Sequence, residues 1–316
     1  MSKLFFNIIR PGINTTIQDL GRNNQNHIGI PSSGAMDKRN FFIANKLVSN
    51  NSVEACIEFA YQGPLLELVG GNTVCAITGN ISFKILRKDS KEEKGICYKS
   101  FSIKDGDRID ILSTNKSVYG YLSIKDGLKE KKNFDSYSTN TKAKIGANNG
   151  EIFSINQKII INKNNDNNEI KNIDYQNSKI EFIRVIKGTN FNYFSELSQN
   201  DFVNEEYVVS KLTDRMGMRL EGKKIENIVS TNIKSEGLVK GVIQVPADGK
   251  PIIMLSDHGT IGGYPKIAVV ISADYDRLTQ LTPGSKIKFK YISLKEAENL
   301  FRLYNLETEN ILNQIR

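Results

Sequence analysis

Short apolar runs and alternating apolar and polar positions dominate this chain, and both patterns predict β-strands. Most of the runs span five or six residues, as strands in globular proteins do. The predicted strands are 4–9, 65–69, 74–78, 81–86, 108–112, 119–124, 180–186, 252–255 and 267–271. The pattern therefore predicts a mainly β protein.

Helical periodicity is confined to a few segments. Met36–Ser49 is the clearest, because its apolar residues at 41, 44, 47 and 48 fall on one helical face. Asp37 lies near its start, where a carboxylate accepts hydrogen bonds from the first turn and suits the positive end of the helix dipole. We therefore predict that Asp37 is a helix cap rather than a catalytic group. Two further helices are predicted at 191–198 and 294–304, the second running on towards Arg316.

A change in composition predicts a boundary between two domains. In Asn162–Asn177, seven of sixteen residues are asparagine and no periodic apolar pattern is present. Such a segment buries too little apolar surface to order itself, which favours a linker. The predicted domains are 1–165 and 178–316. Lys129–Asn149 is also polar, and we predict that it is a long surface loop of the first domain.

Length and charge narrow the class of protein. The chain has 316 residues, enough for two domains, and 39% of them are hydrophobic, as in soluble globular proteins. The formal net charge is +8, but the lysines are scattered, so we do not predict nucleic-acid binding. A basic surface would instead help an anionic substrate or an acidic partner to approach. No apolar run approaches the roughly 18 residues of a membrane helix and no signal peptide is recognisable, so we expect a cytoplasmic protein without membrane contact.

The cysteine and histidine content argues against a metal site. The three cysteines, Cys56, Cys75 and Cys97, have no spacing typical of zinc ligands, and the chain contains only two histidines. Cys56 and Cys75 lie among apolar residues, so we predict that both are core thiols.

The richest group of chemically active side chains lies in Ser256–Ile267, between two predicted strands. This segment holds Asp257, Lys266, His258, hydroxyl groups and three glycines, and polar side chains on a loop between rigid strands are typical of a binding or catalytic site. The alternative is a glycine-rich hairpin with a solvated lysine.

Three residues of this loop are candidate catalytic groups. Lys266 follows Pro265, which restricts the local backbone, and either Lys266 or Tyr264 would stabilise a developing oxyanion. Asp257 would orient a water molecule or an ammonium-like group. The alternative for Asp257 is a structural role as the acid of an Asx turn.

Residues upstream of the loop are candidates for substrate binding. Arg215 and Arg219 are four positions apart, which in a strand puts both on one face, where they would hold a carboxylate or phosphate in a bidentate way. A solvated strand face is the alternative. Gln244 lies in a strand-like run and would bind an amide edge. Glu58 lies in another such run, where burial would require a partner, for which Arg10 and Arg22 are candidates.

Taken in order, several segments resemble one known family. The matching segments are 10–22, 29–31, 33–37, Glu58, 76–79, 214–222, 238–246, 248–251 and 256–267. Together they are similar to the family of the 5-oxoprolinase C-type subunit, also described as allophanate hydrolase subunit 2, which includes the biotin-dependent carboxyltransferase module of urea carboxylase. The resemblance covers roughly residues 4–298.

The resemblance implies a fold, a reaction and partners. It implies two cyclophilin-like β-barrel domains in tandem with few short helices. It also implies a subunit of ATP-dependent 5-oxoprolinase, which opens the lactam of 5-oxoproline to L-glutamate with A-type and B-type partner subunits. The chain lacks a Gly-x-x-x-x-Gly-Lys-Ser/Thr phosphate loop, so we expect the complex rather than this chain alone to use ATP. The site residues would be Asp257, Lys266 and Tyr264 for catalysis and Arg215, Arg219, Gln244, Thr260, Gly262, Gly263 and Glu58 for substrate binding.

Two alternative functions stay open. The first is the carboxyltransferase subunit of a biotin-dependent urea or amide carboxylase, and none of the five methionines adjoins a lysine, so biotin would be carried by another protein. The second is a regulatory protein that binds a kinase inhibitor. At His258–Ile261 the chain departs from the sequence that family members often carry, which argues against a required role for His258.

Overall fold

The structure, a computed structural model, describes residues 3–163, 169–175 and 181–316. The protein is mainly β, as predicted, and forms two compact units. Unit 1 comprises Met1–Arg22, Ser33–Gln176 and Thr308–Arg316, and unit 2 comprises Asn23–Ser32 and Asn177–Glu307. Parts of the predicted linker, and the predicted strand residue Ile180, lie outside the described residues. The domain limits 1–165 and 178–316 stay predictions.

Unit 1 contains two antiparallel sheets. One has the strand order β11-β1-β4-β9-β6-β7 and the other the order β2-β3-β10-β5-β8. The strands are β1 (Phe5–Arg10), β2 (Thr16–Gln18), β3 (Cys56–Ala60), β4 (Leu65–Val69), β5 (Asn72–Thr78), β6 (Ile81–Leu86), β7 (Glu92–Lys94), β8 (Ser100–Lys104), β9 (Arg108–Thr114), β10 (Tyr119–Ile124) and β11 (Lys158–Ile160).

The alternating side chains of β5 serve two hydrophobic clusters. Cys75 and Ile77 belong to the main core of unit 1, which draws residues from both sheets. Val74 and Ala76 belong to a second cluster with Ile43 and other residues of helix α1 (Lys38–Leu47). Because successive side chains of a strand point to opposite faces, β5 supports the core on one face and the helix on the other.

The start of α1 confirms the predicted cap. The Asp37 carboxylate accepts a hydrogen bond of 3.0 Å from the backbone N–H of Asn40, and Asp37 itself has extended backbone angles. The carboxylate thereby satisfies one of the free N–H groups of the first turn.

The segment Lys129–Asn149 is not wholly a surface loop, and that prediction is wrong for its middle. Ser136 and Ser138 are fully buried, and their hydroxyls donate to one carboxylate oxygen of Asp19 over 2.6 and 2.5 Å. The backbone N–H of Tyr137 donates to the other oxygen over 2.7 Å. The polar composition reflects a buried hydrogen-bonded network around Asp19, because buried polar groups require partners.

Unit 2 is built around an eight-stranded sheet with the order β20-β13-β14-β17-β16-β19-β12-β21. A separate two-stranded sheet pairs β15 with β18. The strands are β12 (Ile183–Lys187), β13 (Tyr207–Val209), β14 (Gly217–Glu221), β15 (Glu236–Gly237), β16 (Val242–Gln244), β17 (Ile252–Met254), β18 (Ile261–Gly262), β19 (Lys266–Val270), β20 (Lys286–Ile287) and β21 (Phe289–Tyr291).

The eight-stranded sheet is a nearly closed barrel. Its two edge strands, β20 and β21, are separated in sequence by Lys288 alone, so the continuous chain brings the two edges of the sheet together. Closure of this kind protects strand edges that would otherwise expose unpaired backbone groups.

The helices differ in part from the sequence prediction. In the described ranges there are four α-helices, and α2 (Glu196–Asn204) begins later than the predicted 191–198, because Ser195 caps it through the N–H of Ser198. Helix α3 (Ser272–Thr279) was not predicted. Helix α4 (Leu294–Asn313) confirms the run-on at the C-terminus, and its 20 residues show that not every helix is short.

An aromatic cluster fills part of the interior of unit 2. The ring of Phe202, on α2, stacks on that of Phe289, on β21, with 4.5 Å between the ring centroids. Phe202 is fully buried. Aromatic residues of this size contribute strongly to a core because they remove a large apolar area from water.

We predict that Phe202→Ala lowers the free energy of unfolding of unit 2 by about 3–5 kcal/mol, through lost burial and the cavity that remains. Urea denaturation followed by circular dichroism measures the change. Phe182→Ala is the control, because Phe182 is 36% exposed and its loss is expected to cost far less. Equal losses in both variants would contradict this account of the core.

Candidate active site

The candidate site lies where the loop after β17 returns to the sheet as β19. The strands predicted on either side of Ser256–Ile267 are present, and β18 lies within the segment. The loop and its contacts belong to unit 2, whereas Glu58 and its contacts belong to unit 1.

A buried ion pair holds the first part of the loop. Nε and Nη2 of Arg215 donate to the two carboxylate oxygens of Asp257 over 2.8 and 3.0 Å. The side chains are 11% and 6% exposed, and the N–H of Asp257 donates to the carbonyl of Arg215 over 2.9 Å. A bidentate guanidinium–carboxylate pair fixes both partners in one geometry. Asp257 is therefore engaged by Arg215, and its role in orienting a water molecule stays a prediction.

The predicted arginine fork does not form. Arg215 precedes β14 and is not part of a strand, whereas Arg219 lies within β14 and is exposed. The inference that both side chains share one strand face is wrong, because the strand begins only at Gly217. A role for either arginine in substrate binding stays a prediction.

His258 is buried beside this ion pair. It is 2% exposed, and its Nδ1 lies 2.6 Å from the carbonyl oxygen of Gly259, so the proton of the neutral ring is on Nδ1. Burial lowers the pKa of His258 from its ordinary value of 6.5, because desolvation disfavours the charged ring. The histidine thus serves the loop as a neutral, hydrogen-bonded side chain.

The backbone of Lys266 is fixed from two directions. On one side Lys266 pairs with Gln244 of β16, at a point where the register between β16 and β19 shifts. On the other side the Lys266 N–H donates to Oδ1 of Asn190 over 3.1 Å, and its carbonyl accepts from the Asn190 N–H over 3.3 Å. Gly188 permits this approach, since a Cβ there would lie 2.3 Å from the carbonyl oxygen of Lys266. Lys266 is therefore a rigidly positioned residue.

The ammonium of Lys266 pairs with a residue that the sequence did not single out. Nζ donates to Oε2 of Glu236 over 2.8 Å, and the two side chains are 4% and 44% exposed. This hydrogen bond holds the pKa of Glu236 below its ordinary value. The buried ammonium of Lys266 is therefore paired with the solvent-exposed carboxylate of Glu236.

The glycine-rich part of the loop supports a two-stranded ribbon, which comprises residues 233–238 and 260–263. The N–H of Leu238 donates to the carbonyl of Thr260, and that of Ile233 donates to the carbonyl of Gly263, each over 2.9 Å. At Gly262 a Cβ would lie 2.6 Å from the amide nitrogen of Gln244, so a larger residue there would displace the Gln244 side chain. The predicted roles of Thr260, Gly262 and Gly263 in substrate binding stay predictions.

Gln244 and Tyr264 lie next to one another. The side-chain amide of Gln244 is 4% exposed and donates to the backbone carbonyl of Tyr264 over 3.2 Å. Tyr264 is 40% exposed, so its phenol is accessible. Lys266, which carries an ammonium, lies two residues after Tyr264, which carries a phenol. Gln244, which carries an amide, is hydrogen-bonded to the backbone of Tyr264.

Glu58 belongs to unit 1 and is 1% exposed. Its Oε2 accepts from the N–H of Met36 over 2.9 Å and from the hydroxyl of Tyr121 over 2.7 Å. Of the two candidate partners, Arg10 instead binds Asp110 over 2.7 Å, and a pairing with Arg22 stays a prediction. These contacts support the approach to helix α1, and a role in substrate binding stays a prediction.

Glu236 and Asn190 were missed because neither lies in a recognisable pattern. Glu236 follows Lys234 and Ser235 in a polar stretch that is typical of a solvated loop. Asn190 is 76 positions from Lys266 in sequence, and only the pairing of β12 with β19 brings them together. No local signal could have identified this contact.

Neither a metal cluster nor a membrane helix occurs among the described residues. Within residues 3–163, 169–175 and 181–316, no group of three or more His, Cys, Asp or Glu residues could hold a metal ion. In the same ranges no helix is long and apolar enough to cross a membrane. Cys56 and Cys75 are buried, which confirms the prediction of core thiols.

Comparison with known proteins identifies the family. The family model described as "Carboxyltransferase domain, subdomain A and B" matches residues 28–291. The chain belongs to this family. The matched range includes the loop, Lys266, Glu236 and Asn190.

Individual relatives are similar over most of the chain. The chain is 32% identical over 304 residues to the C-type subunit of 5-oxoprolinase from Haemophilus influenzae, covering 95% of this chain and 94% of the relative. It is 30% identical to the corresponding 5-oxoprolinase subunit of Escherichia coli, covering 92% of each. The solved Kluyveromyces lactis urea carboxylase superposes with a TM-score of 0.88 at 26% identity. That likeness covers 98% of this chain but only 29% of the longer protein.

We predict that Asp257→Asn destabilises this carboxyltransferase domain. Removing one charge of a buried pair costs on the order of 3 kcal/mol, because the remaining charge loses its partner in a desolvated setting. Urea denaturation measures the loss. The control is Glu206→Gln, whose partner Lys286 has a 70% exposed side chain, and its cost is expected to be below about 1 kcal/mol. Unchanged stability of Asp257→Asn would argue against a structural ion pair.

We predict that His258 makes stability depend on pH. His258 takes up a proton more readily in the unfolded chain than in the folded protein. Its contribution to the free energy of unfolding is therefore fully present above pH 6.5 and is lost as the pH falls towards the lowered folded pKa. His258→Asn, which keeps a hydrogen-bond donor, should lose less stability than the parent between about pH 7 and 5. The urea midpoint across this range measures the difference. His27→Asn, at an exposed position, should follow the parent, and a parental slope for His258→Asn would contradict the assignment.

Proposed function

We propose that this chain is the C-type subunit of an ATP-dependent 5-oxoprolinase, which opens the lactam of 5-oxoproline to L-glutamate together with A-type and B-type subunits. The observation that carries the proposal is the full-length likeness to the C-type subunit of 5-oxoprolinase, with 94% of the Haemophilus influenzae relative covered. By contrast, the likeness to urea carboxylase covers a part of a larger chain.

The geometry fits this substrate class. 5-Oxoproline carries a carboxylate and a cyclic amide, and the site contains the ammonium of Lys266 and the side-chain amide of Gln244, two residues at opposite positions of paired strands. An ammonium attracts a carboxylate, and an amide side chain can both donate to and accept from a lactam. Tyr264 lies two residues before Lys266 and is exposed, and its phenol would stabilise charge that develops on the lactam oxygen.

The reaction requires partners under this proposal. ATP would transfer its terminal phosphoryl group to the lactam oxygen, and ADP would leave. A first water would then attack the activated carbon, and the ring C–N bond would break to leave an acyl phosphate of glutamate. A second water would hydrolyse this acyl phosphate to glutamate and phosphate. Since the chain has no Gly-x-x-x-x-Gly-Lys-Ser/Thr loop, we assign ATP use to the assembly as a whole.

We further propose that both units are cyclophilin-like barrels in tandem. The nearly closed eight-stranded sheet of unit 2 and the two packed sheets of unit 1 support this. A solved structure of the chain, compared unit by unit with known barrels, tests it.

One alternative is supported by a specific observation. The TM-score of 0.88 with urea carboxylase favours a carboxyltransferase that acts on urea or a related amide, with biotin carried on another protein. A small neutral amide has no carboxylate for Lys266, which is why we place this function second.

Reconstitution distinguishes the two functions. The chain is co-purified with A-type and B-type subunits, and the release of glutamate and phosphate is measured with 5-oxoproline and ATP, omitting each subunit in turn. Coupled release that requires all three subunits is expected. An assembly that instead consumes ATP with urea, bicarbonate and a biotin-bearing protein would overturn the lactam proposal in favour of the alternative.

We predict that Lys266→Met lowers kcat/KM of the reconstituted assembly by at least about a hundredfold, because the ammonium is lost while the buried stem still packs. The unfolding free energy should change little, and urea denaturation checks this. Lys250→Met is the matched control, since Lys250 also pairs with a glutamate but has a 42% exposed side chain. Near-normal turnover by Lys266→Met would remove Lys266 from the site.

A further inference from the structure

The side chains of Lys266 and Glu236 differ in their exposure to water. The lysine side chain is 4% exposed and the glutamate side chain 44% exposed, with 2.8 Å between Nζ and Oε2. A buried ammonium is costly without a compensating anion. Glu236 provides that anion from the solvent side of the pair.

Other lysine–carboxylate pairs of unit 2 differ in this respect. Lys250 and Lys286, which pair with Glu221 and Glu206, have side chains that are 42% and 70% exposed. Water can solvate those ammonium groups when their partners move away, and such exposed pairs contribute little to stability. Lys266 has little access to water, so an anion that replaced Glu236 would be strongly favoured over an empty site.

Glu236 is carried on a ribbon that is separate from the eight-stranded sheet. It lies in β15, which pairs with β18 in a two-stranded sheet of its own. An isolated two-stranded ribbon is marginally stable in water. Residues 234–237 are exposed, whereas Leu238, 4% exposed, anchors the end of this strand. Displacement of Glu236 would therefore leave the eight-stranded sheet intact.

The surroundings of Nζ suit a carboxylate. Asn190 accepts from the N–H of Lys266 through its Oδ1, which leaves the amide nitrogen of the same side chain as a donor. Asn190 also contributes to lowering the pKa of Glu236, which agrees with such a donor facing the carboxylate. An ammonium and an amide N–H together match the two oxygens of a carboxylate.

We propose that Lys266 and Asn190 form a binding site for the carboxylate of a small substrate, and that Glu236 is an internal carboxylate that occupies this site until the substrate displaces it. The inference deepens the proposed function by assigning the part of the substrate that Lys266 contacts. It rests on that function only for the identity of the ligand. Glu236 then sets the affinity, because a ligand binds more weakly when its site is mostly occupied.

Binding to the full chain tests the proposal without requiring turnover. The probes are cyclopentanecarboxylate, which has a carboxylate but no lactam, and 2-pyrrolidinone, which has the lactam but no carboxylate. Isothermal titration calorimetry measures both against the parent, Glu236→Gln, Glu221→Gln and the double variant Glu236→Gln/Lys266→Met. Glu221→Gln is a matched control, because Glu221 also pairs with a lysine and its side chain is 46% exposed.

The expected result is that Glu236→Gln lowers the Kd for cyclopentanecarboxylate by about three- to tenfold. Glu221→Gln should leave this Kd unchanged, the double variant should lose the gain, and 2-pyrrolidinone should not respond to any of the substitutions. A Kd for Glu236→Gln equal to or above the parental value, no detectable binding of the carboxylate to Glu236→Gln, or a gain that persists without Lys266 would overturn the proposal.

The two proposals can fail separately. If Glu236→Gln gains affinity for cyclopentanecarboxylate but the assembly does not open 5-oxoproline, the carboxylate site stands and the lactam function fails. If the assembly opens 5-oxoproline while Glu236→Gln changes neither the carboxylate Kd nor the KM, the function stands and the internal carboxylate is rejected.

Discussion

The position of the Lys266 backbone is the constraint on which the candidate site depends. Between β16 and β19 the pairing passes from Ile243 opposite Ala268 to Gln244 opposite Lys266, so β19 contains one extra residue at this point. A shift of one residue reverses the side of the sheet to which a side chain points, and bulges of this kind commonly re-aim a side chain next to a site. Asn190 and Gly188 hold the same residue from the other side. The position of Lys266 is therefore fixed by strand pairing and does not depend on a flexible loop.

The two ion pairs of the loop have different roles. Arg215 and Asp257 are both buried and bind each other in a bidentate way, which favours a role in fixing the loop. Lys266 and Glu236 combine a buried cation with a half-exposed anion on a separate ribbon, which favours exchange with a ligand. The distinction rests on exposure and on the element that carries each partner, because the residue types in the two pairs are similar.

The sequence predicts the strands and the family well, and the site less well. Strands such as β4 and β19 can be predicted because their apolar residues form a local pattern in the sequence. Asp37 can be predicted as a cap because a carboxylate at the start of a helical pattern is also a local signal. The arginine fork failed because strand β14 begins two residues after Arg215, and strand limits depend on partners distant in sequence. Glu236 escaped notice because its partner is 30 residues away and its own surroundings are polar.

The most direct test is the structure of the reconstituted assembly with 5-oxoproline bound. We expect the 5-oxoproline carboxylate to lie within hydrogen-bonding distance of Nζ of Lys266, its lactam to lie beside Gln244, and Glu236 to have moved away from the ammonium. 5-Oxoproline bound elsewhere in the assembly, with the 2.8 Å contact between Lys266 and Glu236 unchanged, would contradict the central claim.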